Sequence, residues 1–289
     1  MNYHAPVLVS VYNRLQHFTH CIESLAKNSD AKETPLFIAI DAPFREEDVE
    51  PNEKIRRYAK NITGFKSVHL FSRERNMGAR KNVLDARQHI FSEYPSLIMS
   101  EDDNVFSPFF LSFINQGLSL YEHNEKVFSI SGYNYLIEIP KTYTKDFYFA
   151  QAFSAWGVGL WKEKLKSVDF ETEDFWYAFR NPIRWRHFNK TLGDHVFTHL
   201  LTAKIKGEIY GDTAICYHHY KYDMVSLFPR LSLVRNIGND GSGLHCGKQK
   251  ESKFDNQKIW ETAPAPNLLR TIDCEPEDTI HSLLRAYFR

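Results

Sequence analysis

Over the first 130 residues, short apolar runs rich in β-branched residues alternate with stretches of helical period, and this alternation restricts the fold more than any other feature. Residues 6–11 (PVLVSV) show no helical spacing and read as a buried strand. Phe18, Cys21, Ile22 and Leu25 then recur at three- and four-residue intervals, as on an amphipathic helix over 15–27. The pattern repeats. Residues 36–40 (LFIAI) form a second strand ending at Asp41, 46–61 a charged surface helix, 67–71 a third strand and 96–99 a fourth. Asn76-Met77-Gly78 is a turn, and Val83, Leu84, Ile90 and Phe91 mark the helix after it. Such alternation predicts an α/β fold of βαβ units around a mostly parallel central sheet flanked by helices.

In open sheets of this kind ligands bind beyond the carboxyl ends of the strands. Asn13, Asp41 and the run Glu101-Asp102-Asp103 all fall at those ends. After one more strand at 127–131 the pattern loosens. Residues 154–165 (SAWGVGLWKEKL) lead into a short helix, 192–206 reads as a helix from Gly193-Asp194, and 208–218 reads as strands. Residues 235–246 (RNIGNDGSGLHC), with three glycines in twelve, have a mobile-loop composition. No repeat or Gly/Ser linker divides the chain, so one composite domain is expected, followed by a polar tail ending in a short helix over 279–287.

Composition removes whole classes of function. Lys plus Arg total 36 and Asp plus Glu total 36, which argues against a nucleic-acid binder. The N-terminal residues lack a signal-peptide pattern, and no apolar run approaches a membrane span. The four cysteines (Cys21, Cys216, Cys246 and Cys274) form no CxxC pair and read as reduced thiols of a cytoplasmic protein. Peripheral membrane contact through 279–287 stays open, although so short a helix is expected to pack on the domain.

Two acidic triplets occur, where 36 acids in 289 residues give about half of one by chance, so a triplet alone is only a moderate signal. Glu46-Glu47-Asp48 opens a helix, where acids favour the positive end of the dipole, and reads as structural. Glu101-Asp102-Asp103 ends a buried strand, where clustered carboxylates repel unless a cation sits among them. A divalent ion such as Mn²⁺ or Mg²⁺ meets that need. Asp194 is either a helix N-cap or a general base. His245 closes the glycine-rich loop, whose backbone N–H groups, together with Arg235, can face a phosphate; Ser242 lies in the same loop. Cys216, His218, His245 and Cys246 match no common zinc spacing. Trp156, Gly157 and Gly159 suit a sugar ring or plain packing, and Asn76, Gly78, Arg80 and Lys81 either reach a nucleotide or cap a helix.

Together these segments resemble the GT-A class of nucleotide-sugar-dependent glycosyltransferases, with closest likeness to bacterial family-2-like transferases. More distantly they resemble the N-acetylglucosaminyltransferase that initiates complex N-glycans. VLVSVYNR is similar to that fold's first strand and base-binding loop, placing Asn13 and Arg14 at the nucleotide. IAIDAP resembles its second strand, and Asp41 takes the nucleobase role. By the same resemblance Asp103 ligates the metal, Glu101 and Asp102 lie near the ribose and the metal waters, and FSAWGVGLW lies by the donor sugar. Asp194 falls at the base position of inverting members, and His245 at that of a late metal ligand.

The resemblance implies a GT-A domain over 1–247, with a nucleotide-binding half over 1–125, a donor-sugar and acceptor half over 126–247, and a C-terminal extension over 248–289. It implies a metal-dependent, inverting hexosyl- or N-acetylhexosaminyltransferase. The donor is a nucleotide sugar, UDP-sugar favoured, and the acceptor a glycan, lipid-linked or protein hydroxyl, as in bacterial surface-polysaccharide synthesis. Competing classes are a sugar nucleotidyltransferase and a non-catalytic carbohydrate-binding protein. The first needs a glycine-rich phosphate loop where this chain has Tyr12-Asn13-Arg14.

Overall fold

A computed structural model describes residues 4–176, 180–208, 210–242, 254, 257–268 and 274–288. The fold is mixed α/β. Eight strands form one sheet in the order β3-β2-β1-β4-β8-β6-β9-β7: β1 (Val7–Val11), β2 (Pro35–Ile40), β3 (Ser67–Ser72), β4 (Ser96–Glu101), β6 (Val127–Ser131), β7 (Phe147–Ala150), β8 (Val158–Trp161) and β9 (Val225–Pro229). All run in one direction except β7 and β8, which pair antiparallel to their neighbours. A second ribbon pairs β5 (Asn104–Phe106) with β10 (Val234–Asn236), also antiparallel.

Helices cover both faces. Helices α1 (Leu15–Ala26), α2 (Val49–Ala59) and α4 (Phe110–Leu120) pack on one face, where Phe18, Leu25, Ile55 and Ile114 meet Val7, Val9 and Val11. Four helices pack on the other: α3 (Ala79–Glu93), α6 (Pro182–Leu192), α7 (Asp194–Lys206) and α8 (Gly211–Tyr222). There Ile90, Phe188, Leu200 and Ile215 join Leu8 of the same strand β1. The alternation of β1 side chains between two cores follows from the two-residue period of a strand, and explains why β1 and β2 read as unbroken apolar runs. A short α5 (Lys162–Lys166) follows β8. The final helix, α9 (Asp278–Tyr287), docks Ile280 and Leu284 on Tyr148 and Phe228, and Phe288 lies 4.9 Å from the Tyr135 ring.

Two expectations change. Residues 208–218 do not form strands; Gly211–Tyr222 is a helix. Thr213 through His219 are all buried, and a helix enclosed on every side has no polar stripe to reveal its period. The glycine-rich stretch is not loop from its first residue either, because β10 extends through Asn236.

The enclosure of α8 leaves His219 fully buried, its ring 5.0 Å from Phe128 and neither ring nitrogen with a hydrogen-bond partner among the described residues. Burial, reinforced by His218, pushes its pKa down to about 3. The folded protein therefore holds it neutral, while the unfolded chain takes up a proton near the ordinary 6.5. Stability through this group is complete above that value and falls by roughly one kcal/mol per pH unit as pH drops toward 3. His219→Leu is expected to raise the urea midpoint at neutral pH and to flatten the acid limb of the stability curve. A midpoint that falls with an unchanged limb is the opposing result.

Candidate active site

The parallel register sets Val11 beside Ile40 and Ser10 beside Glu101. The residues after β1, β2 and β4 thus emerge at one edge, and the site is built from those three exits.

At the β2 exit, Asp41 is buried and its Oδ1 accepts the backbone N–H groups of Ala42 (2.9 Å) and Met77 (2.8 Å). Asn76 Nδ2 donates to Ala42 O at 2.7 Å, stitching the 73–78 turn to this corner. Gly78 immediately precedes α3, and Lys81 lies exposed in its first turn. At the β1 exit, the Asn13 amide and the Tyr12 hydroxyl donate to the two oxygens of Asp48 at 2.7 and 2.8 Å. Those bonds outweigh burial and hold the Asp48 carboxyl below its usual range. Asp48 therefore anchors the β1 loop, a specific structural task for the triplet read as a helix start.

At the β4 exit the acids and Arg14 meet. Arg14 Nη2 donates to Asp102 Oδ1 at 2.5 Å and to Asp103 Oδ2 at 2.8 Å. Burial works against the guanidinium charge, but the two carboxylates more than offset it and raise the Arg14 pKa. For Asp102 the balance reverses: burial outweighs the pull of Arg14, and its carboxyl is pushed up to about 6. Glu101 reaches solvent but is crowded by surrounding protein. That surround, together with Asp103, Asp212 and Asp102, drives it up to about 8 against Arg14.

Asp212, not singled out from the sequence, belongs to this group. It sits in the first turn of α8, reaches solvent, and lies close enough to Glu101 to raise the latter's pKa. Burial by surrounding protein lifts its own carboxyl to about 6, opposed by a hydrogen bond from the Ala155 backbone. An acid in the first turn of a helix was the available signal; reading 208–218 as strands concealed it.

The ribbon β5–β10 delivers the loop. Asn236 Nδ2 donates to Asp103 Oδ1 at 2.7 Å, Ile237 N donates to Asp103 O at 2.8 Å, and Gly238 N donates to Asn236 Oδ1 at 2.9 Å. Beyond it, Asp240 Oδ2 lies 3.2 Å from His17 Nε2, and Asp240 Oδ1 accepts from the Ser242 hydroxyl at 2.6 Å. Strand alternation sends Arg235 to the opposite side of β10 from Asn236. There it lines a groove of about 730 Å³ with Arg230, Lys258 and Trp260, and so does not join the acidic cluster. Trp156 packs edge-on against Tyr133 at 4.7 Å. Gly157 has φ +67°, and a Cβ there would lie 2.8 Å from Val234 and 2.9 Å from Phe110, so both backbone and packing call for glycine. Asp194 opens α7, but its side chain lies outside the described residues, as does His245.

In charge and hardness the carboxylates fit a divalent ion. Their arrangement does not yet form a coordination shell: among the described residues no three His, Cys, Asp or Glu groups are placed to hold a metal, and Arg14 and Asn236 occupy both oxygens of Asp103. Among the described residues no helix is long and apolar enough to cross a membrane.

No family model and no curated protein matches the chain. Among solved structures it is similar to a mannosyltransferase of Pyrobaculum calidifontis in complex with GDP-Man and Mn²⁺, at 13% identity and TM-score 0.42, covering 56% of this chain and 46% of that one. It is similar also to S. aureus TarS, at 15% identity and TM-score 0.40, covering 58% of this chain and 30% of that one. A TarS complex with UDP-GlcNAc is similar at 16% identity and TM-score 0.37, with 56% and 46% covered. The chain thus spans less than half the length of each.

Asn236 is the joint between loop and acids. Asn236→Ala removes the amide that donates to a buried oxygen of Asp103 and the acceptor of the Gly238 N–H, and is expected to cost about 1–3 kcal/mol in urea unfolding. A cost indistinguishable from zero would mean the loop is held by other contacts.

Proposed function

We propose that the chain is a glycosyltransferase that moves a sugar from a nucleoside-diphosphate donor to an acceptor hydroxyl, with inversion at the anomeric carbon. The observation that carries this reading is the gathering of Glu101, Asp102, Asp103 and Asp212 at the carboxyl edge of a mostly parallel sheet, three of them with raised pKa values. Carboxyls raised together at the exits of parallel strands suit the acid–base and charge-stabilising work of an active site.

Residue by residue the roles are as follows. Asp41, oriented by two backbone N–H groups, meets the nucleobase, with Asn13, Asn76, Gly78 and Lys81 around the nucleotide. Glu101 and Asp102 face the ribose, and Trp156 and Gly157 the donor sugar. Asp103, with His245 from the glycine-rich segment, would hold a Mn²⁺ or Mg²⁺ ion, which when bound would supply Lewis-acid neutralisation of the diphosphate leaving group. Ser242 and the loop bearing it exclude water from the donor; Arg235, on the far side of β10, is reassigned to the neighbouring groove. Asp212 accepts the proton of the attacking hydroxyl, its pKa of about 6 suiting a base at neutral pH. Asp194, the base expected from the sequence, is the alternative. The acceptor is a glycan, lipid-linked or protein hydroxyl, in surface-polysaccharide assembly at the cytoplasmic side of a membrane.

Thermal unfolding against UDP, GDP and their sugar conjugates, with and without Mn²⁺, tests the donor half of this reading. A nucleotide at a hundred times its dissociation constant adds about 2.7 kcal/mol, and Asp103→Ala is expected to abolish its Mn²⁺-dependent part. Absence of any shift in a folded sample overturns the reading.

For the base, Asp212→Asn is expected to lower kcat by about 10²–10⁴-fold while donor affinity holds. Because Asp212 must be deprotonated to act, wild-type kcat/KM is expected to fall as pH drops through about 6, with that limb lost in the variant. If Asp194→Asn does this and Asp212→Asn does not, the base is Asp194.

A further inference from the structure

We infer that the groove on the far side of β10 is a carbohydrate site for a sugar bearing an acidic group, a phosphate or a carboxylate. The groove lies apart from the carboxyl cluster, and its ligand does not depend on the transferase reading.

Its frame is fixed by the backbone. Ser232 and Ile259 form a bridge, Trp260 N donates to Ser232 O at 2.8 Å, and the Ser107 hydroxyl donates to Trp260 O. These bonds hold the segment from Gln257 to Pro264 against the approach to β10. The groove between them, about 730 Å³, is of the size that takes a small ligand.

Three features of the lining agree on what that ligand carries. The first is uncompensated positive charge. Arg230 is committed: it donates to Asp146 Oδ1 at 3.2 Å and to Tyr143 O at 3.3 Å, and the other oxygen of Asp146 accepts from Asn267 N at 3.0 Å. Arg235 is half-buried and Lys258 exposed, and neither cationic head has a hydrogen bond or ion pair among the described residues. Glu261, the remaining acid of the lining, is exposed and pairs with neither. A half-buried guanidinium without a counter-charge suits an anion, and its fork of donors matches phosphate and carboxylate oxygens alike.

The second is an aromatic wall. Trp260 turns its Nε1–H to Pro264 O at 3.0 Å, leaving the half-buried ring as an apolar surface in the groove. Such a surface suits the C–H side of a pyranose ring. The third is an unused acceptor. Gln257, 5% exposed, donates from Nε2 to Asn134 O at 2.6 Å, while its Oε1 has no hydrogen-bond partner among the described residues. Buried polar atoms are ordinarily paired, and a sugar hydroxyl is a donor the groove can bring to this one. A bare anion would use only the first feature and a neutral sugar only the other two; an acidic sugar uses all three.

Saturation-transfer NMR on the full chain tests this with glucuronate, glucose 6-phosphate, glucose and inorganic phosphate. One or both acidic sugars are expected to bind, and the tighter of the two names the acidic group. Glucose and inorganic phosphate are each expected to bind about tenfold or more weakly. Arg235→Gln is expected to weaken acidic-sugar binding about tenfold or more, with Arg235→Lys between it and the wild type. Circular dichroism verifies the fold of each variant. No acidic-sugar binding by the wild type, unchanged binding by a folded Arg235→Gln protein, or equal binding of glucose or of phosphate alone overturns the site. Acidic-sugar binding that is lost in Arg235→Gln, with no nucleotide shifting the wild type, leaves the site standing while the transferase reading falls.

Discussion

Three consecutive acids ending a buried strand are an electrostatic liability, and the organisation of this site follows from how the liability is met. β1 and β4 are parallel neighbours, so their exits lie side by side. Arg14 leaves the first and reaches the carboxylates leaving the second. A single positive charge cannot compensate all of them. Burial first, and the neighbouring acids second, raise the Glu101 and Asp102 carboxyls; Asp212, on a helix from the other half of the chain, adds to the shift of Glu101 while burial raises its own.

The same imbalance explains the neighbouring contacts. Asn236 caps the oxygen of Asp103 that Arg14 does not serve, and the turn carrying Gly238 can lie flat on the pair because nothing larger than hydrogen stands on its Cα. His17 and Asp240 fasten the outer end of that turn. At the β1 and β2 exits, Asp48 takes two side-chain donors and Asp41 two backbone donors. Each buried or half-buried acid has its own set of partners, which is how so many carboxyls coexist at one edge.

Much of this was legible in the sequence. The strands carrying Asn13, Asp41 and Glu101 showed as apolar runs because a sheet covered on both faces needs apolar residues on both, and their common edge follows from parallel order. The remainder was hidden for identifiable reasons. Residues 208–218 read as strands although 211–222 form a helix, because a helix buried all round shows no period, and Asp212 disappeared with that misreading. The pairing of β5 with β10, which sets Asn236 opposite Asn104 and lets it reach Asp103, 133 positions earlier, leaves no local trace. Arg235 looked like a phosphate ligand from its loop, but strand alternation, invisible while 235–246 read as loop, turns it away. Arg14 was noticed for its place after β1. Its reach to Asp102, 88 positions later, is a tertiary fact.

Those two separations give the site a chronology. A chain lengthening from its N-terminus gains β4 and its acids while Arg14 is already present, so the carboxylates receive their cation as soon as the first parallel strands associate. Asn236 and Gly238 arrive more than a hundred residues later. Closing the larger loop adds little entropy cost, because that cost grows only with the logarithm of length. The delay is thus set by synthesis rather than by thermodynamics. An acid cluster bare in the nascent protein would repel its own strands; Arg14 keeps the half-made sheet electrically quiet until the second half of the chain comes to cover it.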